Sequence, residues 1–277
     1  MKAKKSLGQH FLRSKVALAQ IAEAGKLSPL DTVLEIGPGK GALTEGLLAS
    51  GARVIAVEID HDCIHELNGT FANEIESGKL TIIAGDIMEP ETQKEIFHKK
   101  YLGTAPYKLV ANIPYYITGM LFRMFLEQLR QPTCIVFLIQ KEVAELIMGM
   151  ERTKNNTKGK EGILSLSIKA YGTPHYVAKV KAEAFAPPPK VDSAIIAIEE
   201  ISRERLGKLA DQKYFAVVKA GLGSRRKMLL GNLAKGLDTK KEDLEKIFIK
   251  LSIDPHVRGE DLSFEKWIEL TKALALI

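Results

Sequence analysis

The stretch TVLEIGPGKG, residues 32–41 of 277, indicates the fold of this chain. Five mostly apolar residues, 32–36, lead directly into three glycines at alternate positions, and a helical pattern begins at residue 42. An apolar run that enters a glycine-rich turn and continues as a helix is typical of the first strand and helix of a parallel α/β sheet. The glycines let the backbone turn tightly and let a ligand approach without a Cβ in the way. We therefore expect a ligand site at the carboxyl end of this strand.

Similar units follow along the chain as far as about residue 198. The predicted strands cover residues 32–36, 53–58, 80–84, 108–111, 134–139 and 191–198, and the first helix covers 42–50. These runs lack the polar–apolar alternation of half-exposed strands, as do strands that are buried on both faces. The sequence therefore predicts an α/β fold with a doubly wound, Rossmann-like sheet.

Beyond about residue 202 the apolar residues recur at helical spacing. We predict an α/β domain over residues 1–202 and a small C-terminal all-α domain over 203–277, in keeping with a length that exceeds most single domains. The polar, lysine-rich segment 151–162 has no apolar residue to hold it in place. It is predicted to be a mobile surface loop.

Composition narrows the class of protein. Hydrophobic residues make up 45% and charged residues 27%, as in an ordinary globular protein. No apolar run approaches the roughly 18 residues of a membrane span, and the basic N-terminus has no apolar signal segment after it. Cys63 and Cys134 stand far apart without metal-ligand neighbours, so we expect reduced thiols and no metal site. A cytoplasmic protein without membrane contact is expected.

Two carboxylates follow the second and third predicted strands. Glu58 lies about 20 residues beyond Gly37, where a carboxylate can accept the hydroxyls of a ribose. Asp86 can accept from the amino group of an adenine, although an aspartate there also forms turns. Both NAD and S-adenosylmethionine carry a ribose. The spacing of Gly37, Gly39 and Gly41 is G-x-G-x-G rather than the G-x-G-x-x-G of dinucleotide folds, which favours a ligand without a pyrophosphate.

The most specific motif is Asn112-Ile113-Pro114-Tyr115, which follows the fourth predicted strand. This pattern is typical of amino methyltransferases that act on nucleobases. The lone pair of an exocyclic amine is delocalised into the ring, and acceptors on its N–H groups favour a pyramidal, nucleophilic nitrogen. Asn112 and a nearby backbone carbonyl can supply these acceptors, and Pro114 restricts the backbone that aims them. Tyr115 offers a ring on which a target base can stack. A plain strand-to-turn element is the alternative.

With these motifs the chain resembles the small-subunit ribosomal RNA adenine dimethyltransferase family over nearly its whole length. Further stretches carry the resemblance, namely KSLGQHFL at 5–12, VEID at 57–60, FAPPPKVDS at 185–193 and SRRKML at 224–229. The resemblance implies transfer of methyl groups from S-adenosylmethionine to the amines of two adjacent adenosines near the 3′ end of 16S rRNA. It also implies action in ribosome biogenesis, with the small ribosomal subunit as partner, and we expect a monomer.

The family's site residues carry over by position. His10 and Leu12 are implied to line the cofactor entrance, although His10 stands where an asparagine is common. Gly37, Gly39, Glu58, Asp86 and Asn112 are implied to hold the cofactor. Phe185 is implied to pack on the target adenine opposite Tyr115, whereas the residues alone favour a core aromatic beside a proline turn.

Charge placement indicates an RNA-binding surface. The net charge is +6, and Arg225, Arg226 and Lys227 are consecutive at the start of a predicted helix whose apolar residues begin at Met228. At least two of the three must face solvent. Five more cations lie near the N-terminus: Lys2, Lys4, Lys5, Arg13 and Lys15. Solubilising surface charge is the alternative for any one of them.

Three other functions are compatible with parts of the sequence. A large-subunit rRNA adenine methyltransferase of the antibiotic-resistance type shares the glycine loop and the Asn-x-Pro-Tyr motif, but the segments 185–193 and 224–229 favour the small-subunit enzyme. A non-catalytic assembly or transcription factor on the same fold does not require Asn112, Pro114 and Tyr115 to be intact. An NAD-dependent dehydrogenase leaves Asn112-Ile113-Pro114-Tyr115 unexplained.

Overall fold

A computed structural model gives the structure of the chain and describes residue 4 and residues 7–150, 160–207 and 209–275. Within these ranges the chain forms two compact units. Unit 1 contains the chain up to Ala144 together with His175–Ile201, and unit 2 contains Glu145–Pro174 and the chain from Ser202 onward. None of the helices in the described ranges combines the length and apolar character that crossing a bilayer requires.

Unit 1 is built on a seven-stranded sheet and a separate pair of short strands. The strands are β1 (Phe11–Leu12), β2 (Thr32–Ile36), β3 (Arg53–Glu58), β4 (Leu80–Ala84), β5 (Lys108–Asn112), β6 (Cys134–Gln140), β7 (Thr173–Val180), β8 (Phe185–Ala186) and β9 (Ser193–Glu199). The sheet order is β4-β3-β2-β5-β6-β9-β7. From β4 to β6 all neighbours are parallel, β9 is antiparallel to β6, and β1 pairs antiparallel with β8. The predicted α/β, Rossmann-like fold is confirmed.

Burial explains which strands could be predicted. All six predicted strands exist, three with the bounds given above, because their residues are mostly apolar and, except in β4, mostly buried. The missing prediction of β7 has a clear cause. It lies at the sheet edge, contains Pro174 and has partly exposed residues along most of its length. The strands β1 and β8 have two residues each, which is too short for any periodicity.

Helices cover the sheet of unit 1, and two of them begin at side-chain caps. They are α1 (Lys15–Ala24), α2 (Ala42–Ala49), α3 (His61–Thr70), α4 (Ala72–Glu76), α5 (Pro90–Ile96), α6 (Thr118–Arg123) and α7 (Lys141–Met148), which continues into unit 2. Ser14 Oγ accepts from the Ala17 N–H at the start of α1, and the Asp60 carboxylate accepts from the Asp62 N–H at the start of α3. Cys63 and Cys134, the two cysteines of the sequence, are both buried and are not joined in a disulfide.

Unit 2 is helical. Its helices, besides the end of α7, are α8 (Ile163–Lys169), α9 (Asp211–Gly221), α10 (Leu229–Gly236), α11 (Lys241–Lys250) and α12 (Phe264–Leu274). Trp267 and Tyr214 are completely buried in its core. A Cβ on Gly221 would lie 2.4 Å from the Trp267 ring, so only glycine allows α9 and α12 to pack this closely.

The division of the chain differs from the predicted boundary at 202 in one respect. The segment Glu145–Pro174 belongs to unit 2, so the α/β domain is not continuous over residues 1–202. The reason is that α8 packs on α9, where the Tyr214 hydroxyl donates to the Leu166 carbonyl at 3.2 Å and the Tyr171 hydroxyl to Asp211 at 2.7 Å. Of the loop predicted over 151–162, residues 151–159 lie outside the described residues.

Candidate active site

A cavity of about 720 Å³ opens in unit 1 at the carboxyl ends of β2, β3, β4 and β5. Its volume is within the range of small-molecule sites. Nine of the residues predicted for cofactor and target line it: His10, Leu12, Gly37, Gly39, Glu58, Asp86, Asn112, Pro114 and Tyr115. Residues far apart in the sequence therefore meet in one cleft at the point where the sheet order reverses, as parallel α/β sheets dictate.

The glycine loop between β2 and α2 requires glycine for conformation and for space. Gly37, Gly39 and Gly41 have φ values of 66°, 57° and 82°, a region that residues with a Cβ rarely adopt. A Cβ on Gly41 would lie only 2.4 Å from the Phe71 ring, and one on Gly39 would lie 3.0 Å from Phe11. The loop keeps its backbone exposed to the cavity.

Glu58 orders the loop from the end of β3. Its Oε2 accepts from the Gly39 N–H, and its Oε1 accepts from the N–H groups of Ile59 and Asp60, each at 2.9 Å. Burial raises the pKa of Glu58, against the lowering effect of these three N–H groups. A carboxylate has about four acceptor positions, so roughly one remains on Oε2 for a ligand.

A second carboxylate in the cavity, Glu35 in β2, was not among the predicted site residues. Thr44 Oγ1 donates to its Oε2 at 2.7 Å, while Oε1 is buried and has no partner within the described residues. Burial raises the pKa of Glu35 to about 8, and the charge of nearby Glu58 contributes. An acidic residue inside an otherwise apolar strand was the available signal, because a buried carboxylate is costly.

Asp86 combines two roles. It lines the cavity after β4, and its Oδ1 accepts from the Met88 N–H at 2.8 Å. The turn-forming role that its residue type allows is therefore present together with a position in the cleft.

Asn112 is oriented by the N-terminal segment. Its Nδ2 donates to the His10 carbonyl at 3.2 Å. Because a carbonyl can only accept, this bond fixes which end of the amide is the nitrogen. Among the described residues no group donates to its Oδ1. The acceptor that the motif predicted is thus free at the end of β5.

The two tyrosines of the motif lie differently. Tyr115 is partly buried, and its hydroxyl shares a 2.7 Å hydrogen bond with Ser193 Oγ. Burial raises the pKa of Tyr115, so the hydroxyl remains protonated at neutral pH. Tyr116 is 65% exposed and also lines the cavity. The ring of Tyr115 is fixed by its polar end, whereas that of Tyr116 faces solvent.

Phe185 is not among the residues that line the cavity. It is 4% exposed, belongs to the hydrophobic core of unit 1 and pairs with Leu12 across β1 and β8. This is the core position that its residue type alone favoured. The implied contact with a target base stays a prediction.

The basic triplet lies in unit 2. Arg225, Arg226 and Lys227 are all exposed, which satisfies the expectation that at least two face solvent. They form a turn, however, and α10 begins only at Leu229, so the prediction of a helix start at Arg225 was wrong. The turn is held by Asn232, whose Nδ2 donates to the carbonyls of Gly221 and Ser224.

Only some of the N-terminal cations predicted for the RNA-binding surface are exposed and, within the described residues, without a partner that neutralises them. The Lys4 ammonium pairs with Asp60 at 2.6 Å and Asp62 at 2.7 Å, and these bonds raise its pKa. Lys2 and Lys5 lie outside the described residues. Arg13 and Lys15 are exposed and line the cavity. In the described part of the chain no group of acidic, cysteine and histidine side chains is arranged to hold a metal ion.

Comparison with known proteins agrees with this site. The family model for ribosomal RNA adenine dimethylase matches residues 1–276. Ribosomal RNA small subunit methyltransferase A of Dehalococcoides mccartyi (strain CBDB1) is 42% identical over 98% of this chain and 88% of its own length. The protein of that name from Rippkaea orientalis is 37% identical over 99% and 98%.

Solved structures with the same fold are more distant in sequence. The 23S rRNA methyltransferase ErmE has a TM-score of 0.76 at 24% identity, covering 96% of this chain and 99% of its own. A dimethyladenosine transferase from Plasmodium falciparum has a TM-score of 0.72 at 22% identity, covering 94% and 96%. At these identities the likeness supports the fold alone. The match of the family model and the level of identity to the curated relatives establish that this chain belongs to the ribosomal RNA adenine dimethylase family.

Proposed function

We propose that this protein transfers methyl groups from S-adenosylmethionine to the exocyclic amines of two adjacent adenosines near the 3′ end of 16S rRNA. The observation that carries the proposal is the free Oδ1 of Asn112 beside Tyr115, in one cavity with the glycine loop and Glu58. The relatives of 34–42% identity are named small-subunit enzymes. The 23S enzyme ErmE shares the fold alone at 24% identity, so the large-subunit alternative is not favoured.

The residues present fit the proposed cofactor. The remaining acceptor position of Glu58 suits a ribose hydroxyl, and Asp86 suits an adenine amine. The buried, unpartnered Oε1 of Glu35 suits a cationic group, since an acceptor buried without a donor is costly. When bound, S-adenosylmethionine supplies an electrophilic methyl group on a sulfonium leaving group.

Asn112 then acts on the target amine. Its Oδ1 accepts one amine hydrogen and localises the nitrogen lone pair, and a backbone carbonyl of the Ile113–Pro114 segment accepts the other. No strong base is required, because the amine becomes acidic only once transfer has begun. Catalysis is largely alignment of the amine with the methyl group, which rigid supports such as Pro114 provide.

The rRNA is held by exposed cations in this proposal. Arg225, Arg226 and Lys227 in unit 2, with Arg13 and Lys15 in unit 1, are the candidates for phosphate contacts. The protein is proposed to act as a monomer in the cytoplasm, on the small ribosomal subunit during its biogenesis.

The test is methyl transfer to ribosomal particles. Small subunits that lack the modification are incubated with the protein and labelled S-adenosylmethionine, and primer extension maps the methylated positions. We expect label on two adjacent adenosines near the 3′ end of 16S rRNA and none on large subunits. Label on large subunits alone would favour the antibiotic-resistance type, and label on neither would favour the non-catalytic alternative.

A further inference from the structure

A second cavity, of about 230 Å³, lies within unit 2. It forms where the end of α7 and the start of α8 meet the end of α9, the turn that follows α9 and the short turn Gly259–Asp261. None of its described lining residues belongs to the active-site cavity of unit 1. Sites for whole drug-sized ligands begin at roughly 300 Å³, so this unit 2 cavity suits a smaller group, such as a single nucleobase.

Aliphatic side chains form part of the lining of the unit 2 cavity. Leu146, Ile163, Leu164 and Leu222 border it, and each of them is at least partly exposed. Ile163 is 47% exposed although it is a large apolar residue. Proteins hold a base that has left its stack by packing apolar or aromatic side chains against its faces. The aliphatic part of the lining therefore fits the flat surface of a base.

The lining also contains a partly buried ion pair. Lys160 Nζ donates to Oε1 of Glu260, and the two side chains are 20% and 14% exposed. The Glu161 N–H donates to the Glu260 carbonyl at 2.7 Å, which ties the two segments together. Within the described residues no group donates to Oε2 of Glu260. A carboxylate oxygen in this position can accept from an N–H group on the edge of a base.

Arg225 adds an unpaired cation to the same cavity. Its side chain is exposed, and none of the acidic groups in the described residues pairs with it. The other charges nearby cancel, because Lys160 pairs with Glu260 and Lys169 pairs with Glu161. Among the described lining residues, Arg225 is therefore the cation that remains for a phosphate.

We propose that the unit 2 cavity binds one unstacked nucleotide of the rRNA substrate, with the base against the aliphatic side chains, an N–H group of the base on Glu260 and the phosphate on Arg225. This proposal rests on the proposed function and extends it. Phosphate contacts position a protein on its RNA without reading sequence, whereas unstacked bases are what proteins read in RNA. The cavity would thus add recognition of a base to the phosphate contacts expected from the basic triplet.

Filling the cavity separates its role from that of the charges beside it. In Ile163→Trp a larger side chain occupies the cavity from its exposed edge, while every charged residue is kept. We expect the affinity for small subunits to fall about fivefold or more, as for the loss of a contact worth about 1 kcal/mol, with the salt dependence of binding unchanged. Arg225→Ala should instead also reduce the magnitude of the salt slope, by roughly 0.7.

Ile249→Trp is the matched control. Ile249 is an isoleucine of unit 2 that is 79% exposed in α11 and does not line the cavity. Its substitution should leave the affinity for small subunits within about twofold of the parent. Thermal unfolding checks that all variants are folded, and Ile163→Phe, a smaller insertion at the same position, replaces Ile163→Trp if that variant is not.

Chemical probing of the 16S rRNA in saturated complexes tests what occupies the cavity. The parent and Ile249→Trp should protect the base edge of one unpaired nucleotide that stays reactive with Ile163→Trp, while the other protections persist. Parent affinity in Ile163→Trp overturns the proposal. So does weakened affinity with an unchanged pattern of protection, which would mean that the cavity holds a segment of a ribosomal protein. Failure of the proposed function is distinguishable, because the parent itself would then methylate no small subunits.

Discussion

Thr44 Oγ1 donates a 2.7 Å hydrogen bond to one oxygen of Glu35, and the other oxygen of that buried carboxyl group has no partner within the described residues. The arrangement predicts a pH effect. The pKa of Glu35 is about 8 in the folded protein against 4.5 as its ordinary value. Between these values the folded state holds a proton that the unfolded state has released, so the free energy of unfolding falls as pH rises.

The Glu35→Gln variant replaces the carboxyl group with an amide, which does not ionise between these pH values. We expect its free energy of unfolding, relative to the parent, to increase on the order of a few kcal/mol from about pH 5 to about pH 8. Urea unfolding at the two pH values measures the difference. If the difference in free energy of unfolding between variant and parent did not change with pH, Glu35 would be ionised in the folded protein at both pH values.

Glu58→Ala should weaken S-adenosylmethionine binding about tenfold or more, because hydrogen bonds to a charged group are among the stronger ones. The variant also leaves the Gly39 N–H without its acceptor, so calorimetry is best done well below the unfolding temperature. Glu66→Ala is the control, since this carboxylate pairs with Lys40 at the surface. Equal affinities for both variants and the parent would refute a role for Glu58 in the cofactor site.

Asn112→Ala should abolish methyl transfer while the fold and the affinity for small subunits persist. The reason is that Oδ1 of Asn112 acts on the amine in the transition state rather than on the RNA. Label incorporation measures turnover. Subunit binding by the same preparation checks that the variant is folded and keeps its affinity for small subunits. Methylation near the parent rate would show that the acceptor role is wrong.

Arg225→Ala combined with Arg226→Ala should weaken binding to small subunits and flatten its salt dependence. The slope of the logarithm of the binding constant against the logarithm of the salt concentration should decrease in magnitude by roughly 0.7 for each single-stranded phosphate that the protein no longer neutralises. Cofactor affinity should be unchanged. The double variant Lys240→Ala with Lys241→Ala is the charge-matched control, because it also removes two exposed cations from unit 2. If the two double variants behave alike, the arginines contribute only general surface charge.

Gly41→Ala should destabilise unit 1 by roughly 1 kcal/mol or more, through strain at positive φ together with overlap with Phe71. Gly46→Ala, five residues on in α2, meets no atom within 4 Å and should instead stabilise by about 0.5–1 kcal/mol. Thermal unfolding of the two variants compares them. A stable Gly41→Ala protein would contradict the packing described for the loop.

Local patterns along the chain were sufficient to predict the parallel part of the sheet and the main parts of the cavity. Apolar strands buried on both faces, the tight glycine turn after β2 and the Asn112-Ile113-Pro114-Tyr115 motif each depend on neighbouring residues, and each was predicted from them. Parallel topology then brings the strand ends together, so residues that follow separate strands share one cleft.

Features that depend on distant partners could be learned from the three-dimensional packing alone. This packing pairs Lys4 with Asp60, aligns Phe185 with Leu12 across β1 and β8, and joins Glu145–Pro174 to the helical unit. It also turns the ring of His10 nearly parallel to that of Tyr115, which lies far along the sequence. Such contacts leave no periodicity in the chain, because they form between segments whose approach is set by the packing of the whole unit.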